Sequence, residues 1–157
     1  MIKNKRVLIT GNTSGLGLAL TDLLLSGDNK VYSLSKRFLK KKKNLKSQVC
    51  NLTNLDNIDK ALNRLLKTKK LDYVFLNAGI LGKIDLTKNI KLQEINEIFK
   101  INVFSNKQII ENLIKKKIKI KLIIGISSGA ALYPKYGWYL YCSSKSALKY
   151  MLEAYAL

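Results

Sequence analysis

The sequence predicts an α/β protein built on a doubly wound parallel sheet. Short β-branched runs alternate with longer stretches of helical periodicity, and neither a repeat nor a linker interrupts the alternation. A glycine-rich turn joins the first apolar run directly to the first helical stretch. Strand and helix alternating at this spacing require crossover connections, which give parallel strands with helices over both faces of the sheet.

Arg6–Thr10 reads as a buried strand because Arg6-Val7-Leu8-Ile9-Thr10 is continuous and β-branched. Residues 16–25 carry apolar side chains around much of a helix, which stops at Ser26-Gly27-Asp28-Asn29. Residues 31–34 form a second strand, a lysine-rich loop follows at 40–43, and residues 46–50 form a weak third strand. Thr53 or Asn54 caps a helix running to about residue 67, with Leu55, Ile58, Leu62, Leu65 and Leu66 at helical spacing. Residues 71–76 are the fourth strand, and residues 92–116 one long helix. The fifth strand occupies 119–126 and is apolar enough to be central only over 122–126; a last helix covers Tyr139–Ala156.

With 157 residues, 47% hydrophobic and 25% charged, the chain is long enough for one domain with its own core and too apolar to be disordered. No apolar run approaches the length of a membrane span. The N-terminus passes straight into a strand pattern, without a signal-peptide core and cleavage site. Cys50 and Cys142 make neither a disulfide framework nor a metal set, and histidine is absent. The expectation is a reducing cytoplasm, with no membrane and no metal. The formal charge is +19, yet of 29 basic residues only Arg6, Arg37 and Arg64 are arginine, and lysine is spread over every segment. Nucleic-acid readers favour the planar fork of arginine, so the charge reads as drift in codon composition rather than as a nucleic-acid surface. It still speeds the approach of any polyanion, a phosphorylated cofactor included.

The turn after the first strand is Thr10-Gly11-Asn12-Thr13-Ser14-Gly15-Leu16-Gly17. Gly11 permits a tight turn, and Gly15 lets backbone N–H groups approach a pyrophosphate with no Cβ in the way. The helix N-terminus then offers unpaired donors and partial positive charge, while Gly17 allows close helix packing. About twenty residues on, dinucleotide folds place an acid that binds the adenosine ribose. This chain has Ser35-Lys36-Arg37 there, which favours a 2′-phosphate and so NADP(H), with NAD(H) as the alternative.

Tyr141 and Lys145 stand four residues apart at the start of the last helix and so share a face. An ammonium beside a phenol favours the phenolate, and such a tyrosine can exchange a proton with a carbonyl–alcohol pair. Ser127 and Ser128 end the fifth strand and Asn77-Ala78-Gly79 ends the fourth, on the side where doubly wound sheets bind ligands. Asn102 falls in mid-helix, where asparagine is an indifferent helix former and serves a kink or a water.

This combination resembles the short-chain dehydrogenase/reductase family over the whole chain and in the family's order. The T-G-x3-G-x-G turn matches Thr10 to Gly17, N-A-G matches Asn77 to Gly79, and the helix-borne asparagine matches Asn102. The I-S-S strand end matches Ile126 to Ser128, and Y-x3-K matches Tyr141 to Lys145. The resemblance implies a Rossmann-like sheet of order 3-2-1-4-5. It also implies an NAD(P)-dependent oxidoreductase acting on a small carbonyl or alcohol. Tyr141 would be the acid/base, Ser128 would hold the substrate oxygen, and Lys145 would support the phenolate and hold the nicotinamide ribose. Asn102 would support a water. The dinucleotide would lie along Gly11, Asn12, Thr13, Ser14, Gly15, Leu16 and Gly17, with Ser35, Lys36 and Arg37 at its adenosine end. Asn51 and Leu52 would stand at the adenine, the former where the family usually has aspartate, and Asn77, Ala78 and Gly79 along the middle.

The family's complete domain continues with a sixth strand, a substrate-covering lobe and a seventh strand. Residues 1–157 are therefore expected to be one NAD(P)-binding domain, incomplete at the carboxyl end, with a dinucleotide-binding module lacking turnover as the alternative function. Tyr133, Pro134 and Trp138 are expected either on one wall of the substrate pocket or as core packing beneath the loop. A homodimer through the last two long helices is a further expectation.

Overall fold

The computed structural model describes residues 2–157. Strands β1 (Arg6–Thr10), β2 (Lys30–Ser35), β3 (Leu45–Val49), β4 (Lys70–Leu76) and β5 (Lys119–Gly125) form one sheet of order β3-β2-β1-β4-β5. Every neighbouring pair is parallel. Strand β1 is central, and Val7, Leu8 and Ile9 are each 0% exposed, as a strand covered on both faces requires. Val7 and Ile9 pack with Leu24, Val31 and Phe75 on one face; Leu8 packs with Leu34, Leu62, Leu71 and Leu76 on the other. Full burial of each such side chain contributes about 1.5–3 kcal/mol.

Helix α1 (Gly15–Ser26) follows β1, and α2 (Leu55–Leu65) follows β3. Asn54, rather than Thr53, caps α2 by accepting from the Asn57 N–H at 3.3 Å. Asp56 in its first turn and Arg64 in its last complement the helix dipole. Ile58, Ala61, Leu62 and Leu65 turn inward, as the periodicity requires.

The long helix expected over 92–116 is broken into three parts. Helix α3 (Leu92–Phe99) leads into a π turn (Lys100–Phe104), and α4 (Ser105–Lys115) resumes. Widening by one residue frees backbone carbonyls, and side chains from the next turn take them up. Ser105 Oγ donates to the Ile101 carbonyl at 2.7 Å, and Asn106 Nδ2 donates to the Asn102 carbonyl at 2.8 Å. Helix α4 is tied to α2 through Asp59, which accepts from Gln108 at 3.0 Å and Asn112 at 2.8 Å.

Helix α5 (Tyr139–Ala156) has the expected bounds. Strand β5 pairs only with β4 among the described strands, and Leu122 is 50% exposed. The expected cover on both sheet faces is thus incomplete at this edge. No helix of the described residues is long and apolar enough to cross a membrane.

Candidate active site

The site is built from the carboxyl ends of the strands. At the end of β1, Thr10 is fully buried, and its hydroxyl oxygen accepts from the Asn77 N–H at 3.1 Å and the Ala78 N–H at 3.0 Å. In return Asn77 Nδ2 donates to the carbonyls of Thr10 and Gly11, both at 2.9 Å. This reciprocal clasp holds the glycine turn against the end of β4. Gly11 lies at φ +67°, and a Cβ on it would meet Ala78 Cα at 2.7 Å. A Cβ on Gly17 would stand 2.3 Å from the Gly11 carbonyl oxygen and 2.4 Å from Asn77 Nδ2. The third glycine therefore brings the first turn of α1 against the clasp itself, rather than against the sheet surface.

A cleft of about 420 Å³ opens above this clasp. Gly11, Thr13, Ser14, Leu16, Gly17, Asn77, Ala78 and Gly79 line it in the middle, and Ser35, Lys36, Arg37, Asn51 and Leu52 line one end. The N-cap of α1, Ser14, makes no side-chain capping bond and the first turn holds no acid, so its N–H groups have no side-chain acceptor. Asn12 departs from expectation. It is 0% exposed, neither Nδ2 nor Oδ1 has a hydrogen-bond partner, and it is not among the residues that line the cleft. At the β2 end, the Ser35 hydroxyl donates to the Arg37 carbonyl at 2.8 Å, which shapes the loop and leaves the Lys36 and Arg37 side chains exposed. Asn51 Oδ1 accepts from the Thr53 N–H at 3.2 Å. Cys50, Ile80 and Ile101 also line the cleft. Nothing in their sequence context marks them, since an apolar liner looks like any core residue; burial pushes the Cys50 thiol up from its ordinary value.

Helix α5 brings the second group of residues to the same place. Lys145 is only 3% exposed, its Nζ donates to the Ile126 carbonyl at 2.7 Å, and it lies 5.6 Å from the centre of the Tyr141 ring. Burial pushes the Lys145 ammonium below its ordinary value. The Tyr141 ring is also held edge-on by Trp138, with centroids 5.7 Å apart at 78°. Ser128 ends the connection from β5, where its hydroxyl oxygen accepts from the Ala130 N–H at 3.2 Å and caps a short 3₁₀ turn (Gly129–Ala131). Asn102 sits at the centre of the π turn, 0% exposed. Its Oδ1 accepts from the Ile80 N–H and its Nδ2 donates to the Ile80 carbonyl, both at 2.9 Å; Nδ2 donates again to Ser144 Oγ at 2.9 Å. The side-chain amide thus binds the segment after β4 to α5. The two groups meet at Gly79, which lines the cleft: a Cβ there would stand 3.3 Å from both Lys145 Nζ and Asn102 Oδ1.

The sequence profile of the short chain dehydrogenases matches residues 5–157. The chain belongs to the short-chain dehydrogenase family. The 3-oxoacyl-(acyl-carrier-protein) reductase of Rickettsia prowazekii is 34% identical, with 94% of this chain and 63% of that protein aligned. Benzil reductase ((S)-benzoin forming) of Bacillus subtilis is 30% identical over 90% of this chain and 62% of its own length. A solved short chain dehydrogenase family protein from Francisella tularensis superimposes with a TM-score of 0.87 at 28% identity, over 96% of this chain and 62% of that one. The chain thus spans less than two thirds of the length of these family members.

A second cleft, of about 470 Å³, lies on the other side of α5. It is lined by Tyr139, Cys142, Ser143 and Ser146 of the helix, whose positions fall on the face opposite Tyr141, Lys145 and Leu148. Pro134 lines this rear cleft, Tyr133 is 71% exposed, and Trp138 packs on Tyr141. These three residues therefore do not form the single pocket wall expected for a short-chain dehydrogenase substrate site. Among the described residues no group of three or more His, Cys, Asp or Glu side chains is placed to hold a metal.

Proposed function

We propose that this chain carries the cofactor-binding and proton-transfer machinery of an NADP(H)-dependent oxidoreductase that interconverts a small carbonyl compound and its alcohol. The observation that carries the reading is Gly79, which lines the nucleotide cleft and lets Lys145 Nζ lie where a side chain would crowd it. Glycine-turn cleft and Tyr141–Lys145 pair are thereby one site.

The residues present fit a dinucleotide. At Gly15, φ +52°, a Cβ would meet nothing within 4 Å, so the helix N-terminus faces open space suited to a pyrophosphate. Lys36 and Arg37, with no carboxylate at the end of β2, favour a 2′-phosphate and hence NADP(H) over NAD(H). Asn77 to Gly79 would lie along the middle of the cofactor, and Lys145 would hold its nicotinamide ribose. Hydride transfer is the chemistry that a bound nicotinamide supplies; the chain supplies position and the proton.

Tyr141 gives its phenolic proton to the carbonyl oxygen during reduction and takes it back from the alcohol during oxidation. The Lys145 ammonium stabilises the phenolate left behind. Ser128 accepts from Ala130, so its own hydrogen is available to hold the substrate oxygen. Asn102 positions the end of β4 against α5. The two free thiols accord with a reducing cytoplasm.

Titration of NADPH fluorescence followed by a panel of aromatic and 3-oxo carbonyl substrates tests the proposal. Binding with NADPH oxidation supports it. Binding without oxidation favours a dinucleotide-binding module. Absence of binding refutes both.

A further inference from the structure

We infer that Ser144 is a positioning residue, coupling the Tyr141–Lys145 segment to the wall of the nucleotide cleft through Asn102. The inference rests on the reading of Tyr141 and Lys145 as the reacting pair.

Ser144 is 0% exposed. Its hydroxyl donates to the Tyr141 carbonyl at 3.0 Å and accepts from Asn102 Nδ2 at 2.9 Å. A buried helix serine ordinarily bonds back to its own helix and needs nothing more. Here the same oxygen also takes the second hydrogen of an amide whose first hydrogen is held by the Ile80 carbonyl. An unbroken chain of hydrogen bonds runs from the backbone of Ile80, through Asn102 and Ser144, to the backbone of Tyr141. Ile80 lines the cleft, and Lys145 directly follows Ser144 in the helix. The bonds span 22 and 42 residues of sequence and join the end of β4, the π turn and α5, three segments that no backbone ladder connects.

Alanine at 144 would leave a buried Asn102 N–H without an acceptor, and that group regains a partner only if the segments shift. The first turn of α5 would then move relative to Gly79 and Ile80, taking the Lys145 amine with it. Threonine keeps a hydroxyl on the same carbon and can still bond back along the helix.

The test compares the wild type with Ser144→Ala and Ser144→Thr by competitive acetylation of lysines, read by mass spectrometry with exposed Lys119 as internal standard. Ser144→Ala should raise Lys145 labelling about tenfold, the loss of one neutral buried hydrogen bond, and Ser144→Thr should return it to within about twofold of wild type. Where turnover is present, kcat of Ser144→Ala should fall about tenfold while the NADPH Kd stays within about twofold. Unchanged Lys145 labelling in Ser144→Ala, or a loss that threonine does not rescue, overturns the inference. Should Ser144→Ala fail to fold, the wild type decides. Both Asn102 side-chain amide protons must then exchange at least about tenfold more slowly than those of exposed Asn63; exchange of either at the Asn63 rate overturns it. Failure of the wild type to bind NADPH or reduce any carbonyl refutes the proposed function and leaves the labelling and exchange readouts standing.

Discussion

Gly17→Ala is the substitution that most directly probes the clasp beneath the cleft. The added methyl would stand 2.3 Å from the Gly11 carbonyl oxygen and 2.4 Å from Asn77 Nδ2. Neither group can withdraw by a rotamer change. Gly11 is held at φ +67° with Ala78 packed where its own Cβ would be, and Asn77 Nδ2 is bonded to the carbonyls of both Thr10 and Gly11. Relief requires α1 to lift or the turn to open. Overpacking of this kind costs about 1–3 kcal/mol, and one lost Asn77 hydrogen bond adds about 0.5–1.5 kcal/mol. Alanine recovers about 1 kcal/mol of helix propensity, which leaves a net destabilisation of about 2 kcal/mol. On the proposed reading the same turn cradles the pyrophosphate, and NADPH affinity should fall about tenfold or more. Urea unfolding followed by far-ultraviolet dichroism reads the first quantity and NADPH fluorescence the second. Gly129→Ala is the control: nothing lies within 4 Å of its built Cβ, and stability should change by less than about 0.5 kcal/mol. If Gly17→Ala matches the control in stability and binds NADPH like the wild type, the close approach of helix, turn and Asn77 is not what holds the site.

Tyr141→Phe should reduce turnover about 10²–10⁴-fold with NADPH affinity nearly intact; retained turnover removes Tyr141 from the chemistry. Ser35→Asp replaces the hydroxyl that donates to the Arg37 carbonyl with a carboxylate, and the ratio of NADPH to NADH affinity should fall about tenfold. An unchanged ratio counts against a 2′-phosphate site at this loop. The Arg6 N–H holds the Asp72 carboxyl below its ordinary value of 3.8, with burial opposing it and Lys70 assisting. A depressed carboxylate stabilises the fold above its unfolded value, and that stabilisation is lost as pH falls through the folded value. The urea midpoint of the wild type should therefore drop more steeply than that of Asp72→Asn below about pH 4; parallel curves would show that the carboxylate does not anchor the start of β1.

Much of this architecture is legible in the sequence because its signals are local. The strand runs, the helices that follow β1, β3 and β4, a cap at Thr53 or Asn54 and the bounds of α5 follow from periodicity and capping chemistry that is local in sequence. The glycine turn is legible for the same reason, since strand, turn and helix are contiguous. The π turn is not. Adding one residue to a helical turn leaves the apolar pattern of 92–116 intact, and part of what holds the widened turn, the Ile80 backbone bonded to the Asn102 side chain, lies 22 residues upstream. Asn12 is a second case: its place in the turn says nothing of its burial, and only the packing around it encloses the side chain. Tyr133, Pro134 and Trp138 sit together in sequence, yet the loop sends them to solvent, to the rear cleft and onto Tyr141.

The order of residues by itself determined the alternation of strands and helices, the family, and which side chains are candidates for chemistry. Periodicity, caps and motif spacing are short-range properties that a linear chain already contains. The tertiary structure alone decided what each polar group is bonded to: that Asn102 grips Ile80 and Ser144, that Lys145 reaches the Ile126 carbonyl, and that Gly79 stands between cleft and helix. A buried donor takes whichever acceptor the fold brings within about 3 Å, and acceptors distant in sequence come that close only after the sheet has assembled.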